Sequence, residues 1–167
     1  TIAVARAFPR AEAIGLDADE ASVADARRHA AAQGVSARFE VCDAAAIGRY
    51  EPFDLVLVLE ALHDMSHPAD ALRAMRQALK PGGAVLVADE KVAERFHAPG
   101  DEIERLMYGW SIVHCLPVAM SESPADAIGT VIRSDTVRAL ARTAGFESVD
   151  VLPVNAGFFR IYRLSVE

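Results

Sequence analysis

Residues 53–89, FDLVLVLEALHDMSHPADALRAMRQALKPGGAVLVAD, decide the fold. The apolar run 55–59 is too short to cross a bilayer and too continuous for a half-exposed strand. It suits a strand of a parallel sheet buried on both faces. The period then changes. Leu72, Met75 and Leu79, with Ala71, Ala74 and Ala78 beside them, share one helical face, while Asp70, Arg73, Arg76, Gln77 and Lys80 take the other. Pro68 fits the first helical turn, where a missing N–H costs nothing. Lys80 is expected in the last turn, with Pro81-Gly82-Gly83 stopping the helix and 84–88 opening a second buried strand. This is a βαβ unit with a right-handed crossover. Open sheets bind ligands outside the carboxyl ends of their strands, so residues 60–67 and 89–90 are where chemistry is expected.

At 167 residues the chain fits one domain with a full core. Its formal charge of −7, with no offsetting Lys/Arg cluster, argues against a general nucleic-acid surface. No apolar run approaches a membrane span, and no leader peptide is visible. Two cysteines, Cys42 and Cys115, make no disulfide framework. A reduced, cytoplasmic protein is the expectation, and a homodimer is considered for its assembly. The chain opens on Thr1, and TIAVARAFP reads as the second half of an amphipathic helix, so the natural protein is expected to begin upstream.

Working outward, Ile2, Val4, Ala5 and Phe8 form a helical stripe that ends at Pro9, and residues 13–16 form a short strand closing on Asp17. Asp17 or Asp19 can cap the next helix, which runs to a left-handed stop at Gly34. Residues 37–41 read as a strand leading into Cys42-Asp43, and 44–50 as a connector of about one helical turn. Beyond the central unit, 101–115 reads as a helix with Ile103, Leu106, Met107, Trp110 and Val113 on one face, and 116–133 as a loop or lid. Ser134 is expected to cap a helix that buries Val137, Leu140, Ala141 and Ala144 and ends at Gly145. Residues 148–153 and 158–164 read as two strands joined in a hairpin. Alternating strands and helices followed by a hairpin imply an α/β sheet, mostly parallel, with an antiparallel end.

Asp17, Asp43 and Glu60 stand in order at three strand ends. Together with the Lys80-Pro81-Gly82-Gly83 turn and the closing hairpin, this resembles class I S-adenosylmethionine-dependent methyltransferases, over nearly the whole chain. The resemblance implies a Rossmann-like methyltransferase sheet and S-adenosylmethionine as cofactor. It places Asp17, with Ala18, at the ribose hydroxyls and Asp43, with Cys42 and Ala44, at the adenine amino group. Leu59 and Glu60 would line the methionine side. A carboxylate can accept from both hydroxyls of a vicinal diol, and from an exocyclic amine. The plainer alternatives are a helix cap for Asp17 and a turn residue for Asp43. The family's first strand and Gly-rich loop are missing from the sequence and would precede Thr1. Residues 1–167 alone are therefore expected to bind the cofactor poorly.

The Leu62-His63-Asp64 segment, then a helix and an A-L-x-P-G-G turn, resembles small-molecule O-methyltransferases, in which a histidine here deprotonates the acceptor hydroxyl. His63 matches that base, and its titration near neutral pH suits the task. Asp89 and Glu90 match the region of an acidic partner, and Glu90 is taken as catalytic with His63. The alternative is that His63 only fixes its turn. Met65 stands where the family commonly has tryptophan. Asp64, Tyr108 and Ser111 are the candidate substrate contacts, within a specificity region spanning 91–133. The YGWSIVHCLP run resembles a bacterial subgroup of methyltransferases that carries an N-terminal winged-helix region. His114 beside Cys115 is read as two packed residues. His63 and His67 are spaced as zinc ligands on a helix would be, but Pro68 biases His67 away from helical geometry and no third ligand is evident. No metal is expected. Competing readings are a nicotinamide-dependent oxidoreductase, since Asp17 would also suit an NAD ribose, and a non-catalytic binding module.

Overall fold

The structure is a computed structural model, which describes residues 1–50, 52–122 and 124–166. The chain divides into two compact units, Thr1–Arg49 and Tyr50–Glu167.

The first unit holds helix α1 (Ile2–Ala7), strand β1 (Ile14–Asp17), helix α2 (Glu20–Ala32), strand β2 (Arg38–Val41) and a 3₁₀ turn, Ala44–Arg49. Asp19 caps α2 by accepting from the Ser22 N–H at 2.7 Å. Gly34 follows the helix with φ +63°, the left-handed stop expected. β1 and β2 pair in parallel. Val23, Ala30 and Phe39 form the unit's core, with Ile2, Ala26 and Ala37 packed against them. A Cβ on Gly15 would stand 2.7 Å from the Phe39 ring, so β1 needs glycine there.

The second unit contains strand β3 (Phe53–Leu59), a 3₁₀ turn Leu62–Asp64, helix α3 (Pro68–Gln77), strand β4 (Leu79–Glu90), helices α4 (Glu102–Trp110), α5 (Leu116–Ala119) and α6 (Ser134–Ala144), and strands β5 (Ser148–Val151) and β6 (Phe159–Ser165). Its sheet runs β3-β4-β6-β5, with β3 parallel to β4 and the other pairs antiparallel. The right-handed crossover expectation lies in the β3-α3-β4 unit, and the closing hairpin is present as read. Val56, Val58, Val85, Val87, Tyr162 and Leu164 share one face by register and are all buried. α3 packs against β4 and α6. Each such aliphatic side chain contributes roughly 1.5–3 kcal/mol by leaving water, so this face carries the unit's stability.

Four expectations are corrected. The run 55–59 is not buried on both faces: Leu55, Leu57 and Leu59 are 47%, 39% and 59% exposed. β3 is an edge strand, and its second face in this unit is uncovered. The helix before the Pro-Gly-Gly turn ends at Gln77, and Leu79 already pairs with Phe53. Lys80 is therefore on the strand, where its ammonium meets Asp54 at 2.8 Å. Gly83 is confined there by the Lys80 carbonyl, 2.9 Å from where a Cβ would sit. Ser134 does not cap α6; Arg133 is the N-cap, and the buried Ser134 hydroxyl bonds instead to the Tyr162 hydroxyl at 3.2 Å. Finally, the helix beginning with α4 does not stop at Cys115. It passes through a π-helical turn, Ser111–Cys115, into α5, and Pro117, which has no N–H to donate, falls just after that turn. On this long helix Met107 is buried, whereas Ile103, Leu106, Trp110 and Val113 are exposed. Trp110, for which core or interface was expected, is half exposed and so lies outside the core. No helix among the described residues is long and apolar enough to cross a membrane.

Candidate active site

In the first unit Asp17 lies opposite Val41, so Asp17 and Asp43 leave the carboxyl ends of neighbouring parallel strands. Both are exposed. Asp17 Oδ1 accepts from the Asp19 N–H at 2.9 Å, and Asp43 Oδ1 from the Ala45 N–H at 2.7 Å. Each carboxylate is thereby aimed by its own turn, and the capping duty falls to Asp19 rather than Asp17. Ala18 and Ala44 flank them, exposed and half-buried respectively. Cys42 is buried, its thiol donating to the Asp43 carbonyl at 3.2 Å. Two oriented, exposed carboxylates on adjacent strand ends are acceptors suited to the hydroxyls and amine of a nucleoside.

In the second unit the chemistry gathers above β3 and β4. Leu59 and Glu60 are exposed at the end of β3, and Glu60 has φ +55°. It is the one non-glycine residue among those described that takes a left-handed backbone, a strain typical of functional turns. Burial and the charges of Asp89 and Asp64 raise its pKa, against the pull of His63. The 3₁₀ turn that follows buries Leu62 and His63. His63 Nδ1 lies 2.6 Å from Asp89 Oδ1 and 3.3 Å from Glu90 Oε2, while Nε2 lies 3.4 Å from Asp64 Oδ1. Asp89 is fully buried and Glu90 nearly so. Asp89 Oδ1 also accepts the Glu90 N–H at 3.1 Å.

Burial opposes an imidazolium here, but the Asp89 hydrogen bond and the charges of Asp89, Glu90 and Asp64 outweigh it and push His63 up to about 9. Burial, then the hydrogen bond and charge of Asp89, push Glu90 up to about 8. Near neutral pH the cluster therefore holds His63 protonated and Glu90 as the acid. Burial likewise raises the Cys115 thiol.

Both acids expected at the end of this strand reach His63, but Asp89 makes the short contact and Glu90 the longer one. Asp89 continues the buried positions Val85 and Val87, whereas Glu90 falls on the other face. Asp64 is half-buried beside the ring. Ser111 is buried, and its Oγ accepts from the Thr130 N–H at 3.2 Å, which ties the helix to the end of the 91–133 segment. That segment returns over the His63 turn through Gly129 N–H to His63 O at 3.2 Å and Asp126 N–H to Ser66 O at 2.8 Å. The Tyr108 hydroxyl accepts from Arg133 at 3.1 Å, and its ring meets Phe96 edge-on. Arg133 also bonds the buried Glu104 and the Ala93 carbonyl, pinning both ends of the segment. His67 stands apart from His63, facing Glu122 at 3.7 Å and Asp126 at 3.9 Å. His29 and His97 are exposed, and so is His114, so of the His114-Cys115 pair only Cys115 is packed as expected.

The family model described as "Methyltransferase domain" matches residues 1–134. The chain belongs to that family, as its strand-end acids and closing hairpin led one to expect. It is 29% identical over 120 residues to the ubiquinone/menaquinone biosynthesis C-methyltransferase UbiE of Ectopseudomonas mendocina, covering 66% of this chain and 44% of that protein. The UbiE of Salmonella paratyphi B is 32% identical over 120 residues, 66% of this chain and 45% of that one. Among solved structures, an O-methyltransferase family protein from Burkholderia thailandensis superposes with a TM-score of 0.70 at 17% identity, covering 97% of this chain and 46% of that chain. Human N-acetylserotonin methyltransferase, solved with S-adenosylmethionine, gives 0.64 at 18%, covering 96% and 42%. These likenesses show the same fold. The chain spans less than half the length of the curated relatives it matches.

Proposed function

We propose that this protein transfers the methyl group of S-adenosylmethionine to a small molecule bearing a hydroxyl, with His63 as the base. The observation that carries the reading is the buried His63–Asp89 pair at 2.6 Å, set at the carboxyl ends of β3 and β4. S-adenosylmethionine, when bound, supplies an activated methyl on a sulfonium. Asp17 accepts from the ribose hydroxyls and Asp43 from the adenine amine. Leu59 and Glu60 border the methionine side, and the buried Cys42 supports the turn that carries Asp43.

Asp89 holds the Nδ1 proton of His63, which leaves Nε2 as the working nitrogen. Nε2 faces Asp64 in the resting protein, so Asp64 gives way when an acceptor hydroxyl takes its place. A hydroxyl that has lost its proton to His63 is the stronger nucleophile for in-line displacement. Glu90 backs the ring at 3.3 Å and adds its charge to that of Asp89 as the pH rises through about 8. Tyr108 and Ser111 lie on the helix that bounds the substrate side, and Met65 forms part of its wall.

The curated relatives named above are C-methyltransferases, which favours a second reading: removing the proton from a phenolic hydroxyl would activate ring carbon instead of oxygen. The test is incubation of the protein with methyl-labelled cofactor in large excess and a panel of small phenols and enols. Label in an O-methyl ether supports the first reading, label on ring carbon the second. No labelled product from any acceptor, at any pH up to 9, removes both.

A further inference from the structure

We propose that His63 Nε2, Asp64 Oδ1 and Cys115 Sγ form a binding site for a soft divalent cation of the zinc class. Asp64 follows His63 in the 3₁₀ turn, and Cys115 arrives from the π-helical turn at the end of α4. The three donor atoms lie within 4.8 Å of one another, and the imidazole and carboxylate are already 3.4 Å apart. A tetrahedral zinc with bonds of about 2.0–2.3 Å needs its ligands roughly 3.3–3.8 Å apart. Contraction of at most about 1.0–1.5 Å would therefore close the set.

The surroundings suit a cation. His63 and Cys115 are buried, and both face the Asp64 carboxylate, His63 Nε2 at 3.4 Å from Oδ1. A cation would replace the two protons that now lie between these groups. Asp89 stands behind the ring on Nδ1, the carboxylate–histidine arrangement that orients and strengthens an imidazole ligand. The outer side of the Asp64 carboxylate is open to solvent, which provides an entry path. One nitrogen, one oxygen and one sulfur select zinc, or cobalt as its spectroscopic substitute, over magnesium or calcium. With three protein ligands the fourth position is left to water. As the bonds form, the Cys115 thiol and the His63 imidazolium, the latter from Nε2, each give a proton to the buffer, so binding strengthens as pH rises. The third ligand that was not evident beside His63 and His67 is thus far along the chain, and His67 takes no part.

Occupation would claim the nitrogen assigned to proton abstraction, so the cation would block turnover. That consequence alone rests on His63 being the base; the binding itself does not.

The experiment is a titration of the 167-residue chain with Co²⁺, without substrate or S-adenosylmethionine. The expected result is one equivalent bound, with a sulfur-to-cobalt charge-transfer band that Zn²⁺ abolishes and Mg²⁺ does not. Cys115→Ser removes the band, Cys42→Ser keeps it, and Asp64→Asn weakens binding by about tenfold or more. The inference is overturned if no charge-transfer band develops, or if the band survives Cys115→Ser. Should Cys115→Ser fail to fold, Asp64→Asn decides by itself, because the partly exposed position tolerates the amide; unchanged cobalt affinity in that variant also overturns it. Since no turnover is measured, failure here leaves the methyl-transfer reading standing, and failure of methyl transfer leaves this site standing.

Discussion

The two units use carboxylates at strand ends in opposite ways. In the first, Asp17 and Asp43 are exposed and oriented only by local turns, free to meet a ligand. In the second, Asp89 and Glu90 are buried against His63, where the Asp89 charge raises both the ring and Glu90. The same residue type at the same kind of position is a ligand acceptor when wet and a proton-tuning device when dry, because the interaction between charges grows as water is excluded. Under the proposed function, the difference separates affinity from turnover.

The sharpest way to break that separation is His63→Ala. It should cut turnover by about 10²–10⁴, the usual worth of a positioned base, while S-adenosylmethionine affinity stays unchanged by calorimetry. A comparable loss of affinity would mean that the two regions do not divide the work as stated. Asp17→Ala and Asp43→Ala should do the converse, weakening cofactor binding by about 10- to 100-fold for a lost charged hydrogen bond, with kcat at saturation little changed.

The pH profile sharpens the comparison further. With His63 pushed up to about 9, kcat/KM should climb through neutrality, reach half its maximum near pH 9 and level off about one unit above it. Asp89→Asn removes the partner that raises it, so the rising limb should move toward acid, with a lower plateau. A limb that stays in place would mean Asp89 does not control the ring.

The smallest effect is on stability. His63 and Glu90 both have folded-state values above their ordinary ones. Their contribution is therefore fully present below pH 4.5 for Glu90 and below 6.5 for His63, and is lost as pH rises through about 8 and about 9. The melting temperature should fall by several degrees between pH 6 and pH 9, and Glu90→Gln, which cannot ionise, should flatten that slope. Equal slopes in the two proteins would remove Glu90 from the account.

Much of the architecture was legible because it rests on local rules. The change of period at Pro68, the cap at Asp19, the stop at Gly145 and the hairpin before Ser165 depend on residues within a few positions of each other. Strand ends carrying Asp17, Asp43 and Glu60 could be counted off in order. The readings that failed were those in which a distant partner decides. A run such as Leu55–Leu57–Leu59 says that burial is favourable but not whether another layer is there to provide it. Ser134 looked like a cap, yet Tyr162 and Arg160 claimed its hydroxyl.

By itself the sequence determined the alternation of strands and helices, the family resemblance and the candidate base, since these follow from short-range propensity and ordered motifs. Only tertiary structure decided that Asp89 makes the close contact with His63, and that Cys115 stands beside Asp64. Those choices depend on where the end of β4 meets the turn at His63 and on how the helix after Trp110 winds, and both are settled by packing between segments far apart in the chain.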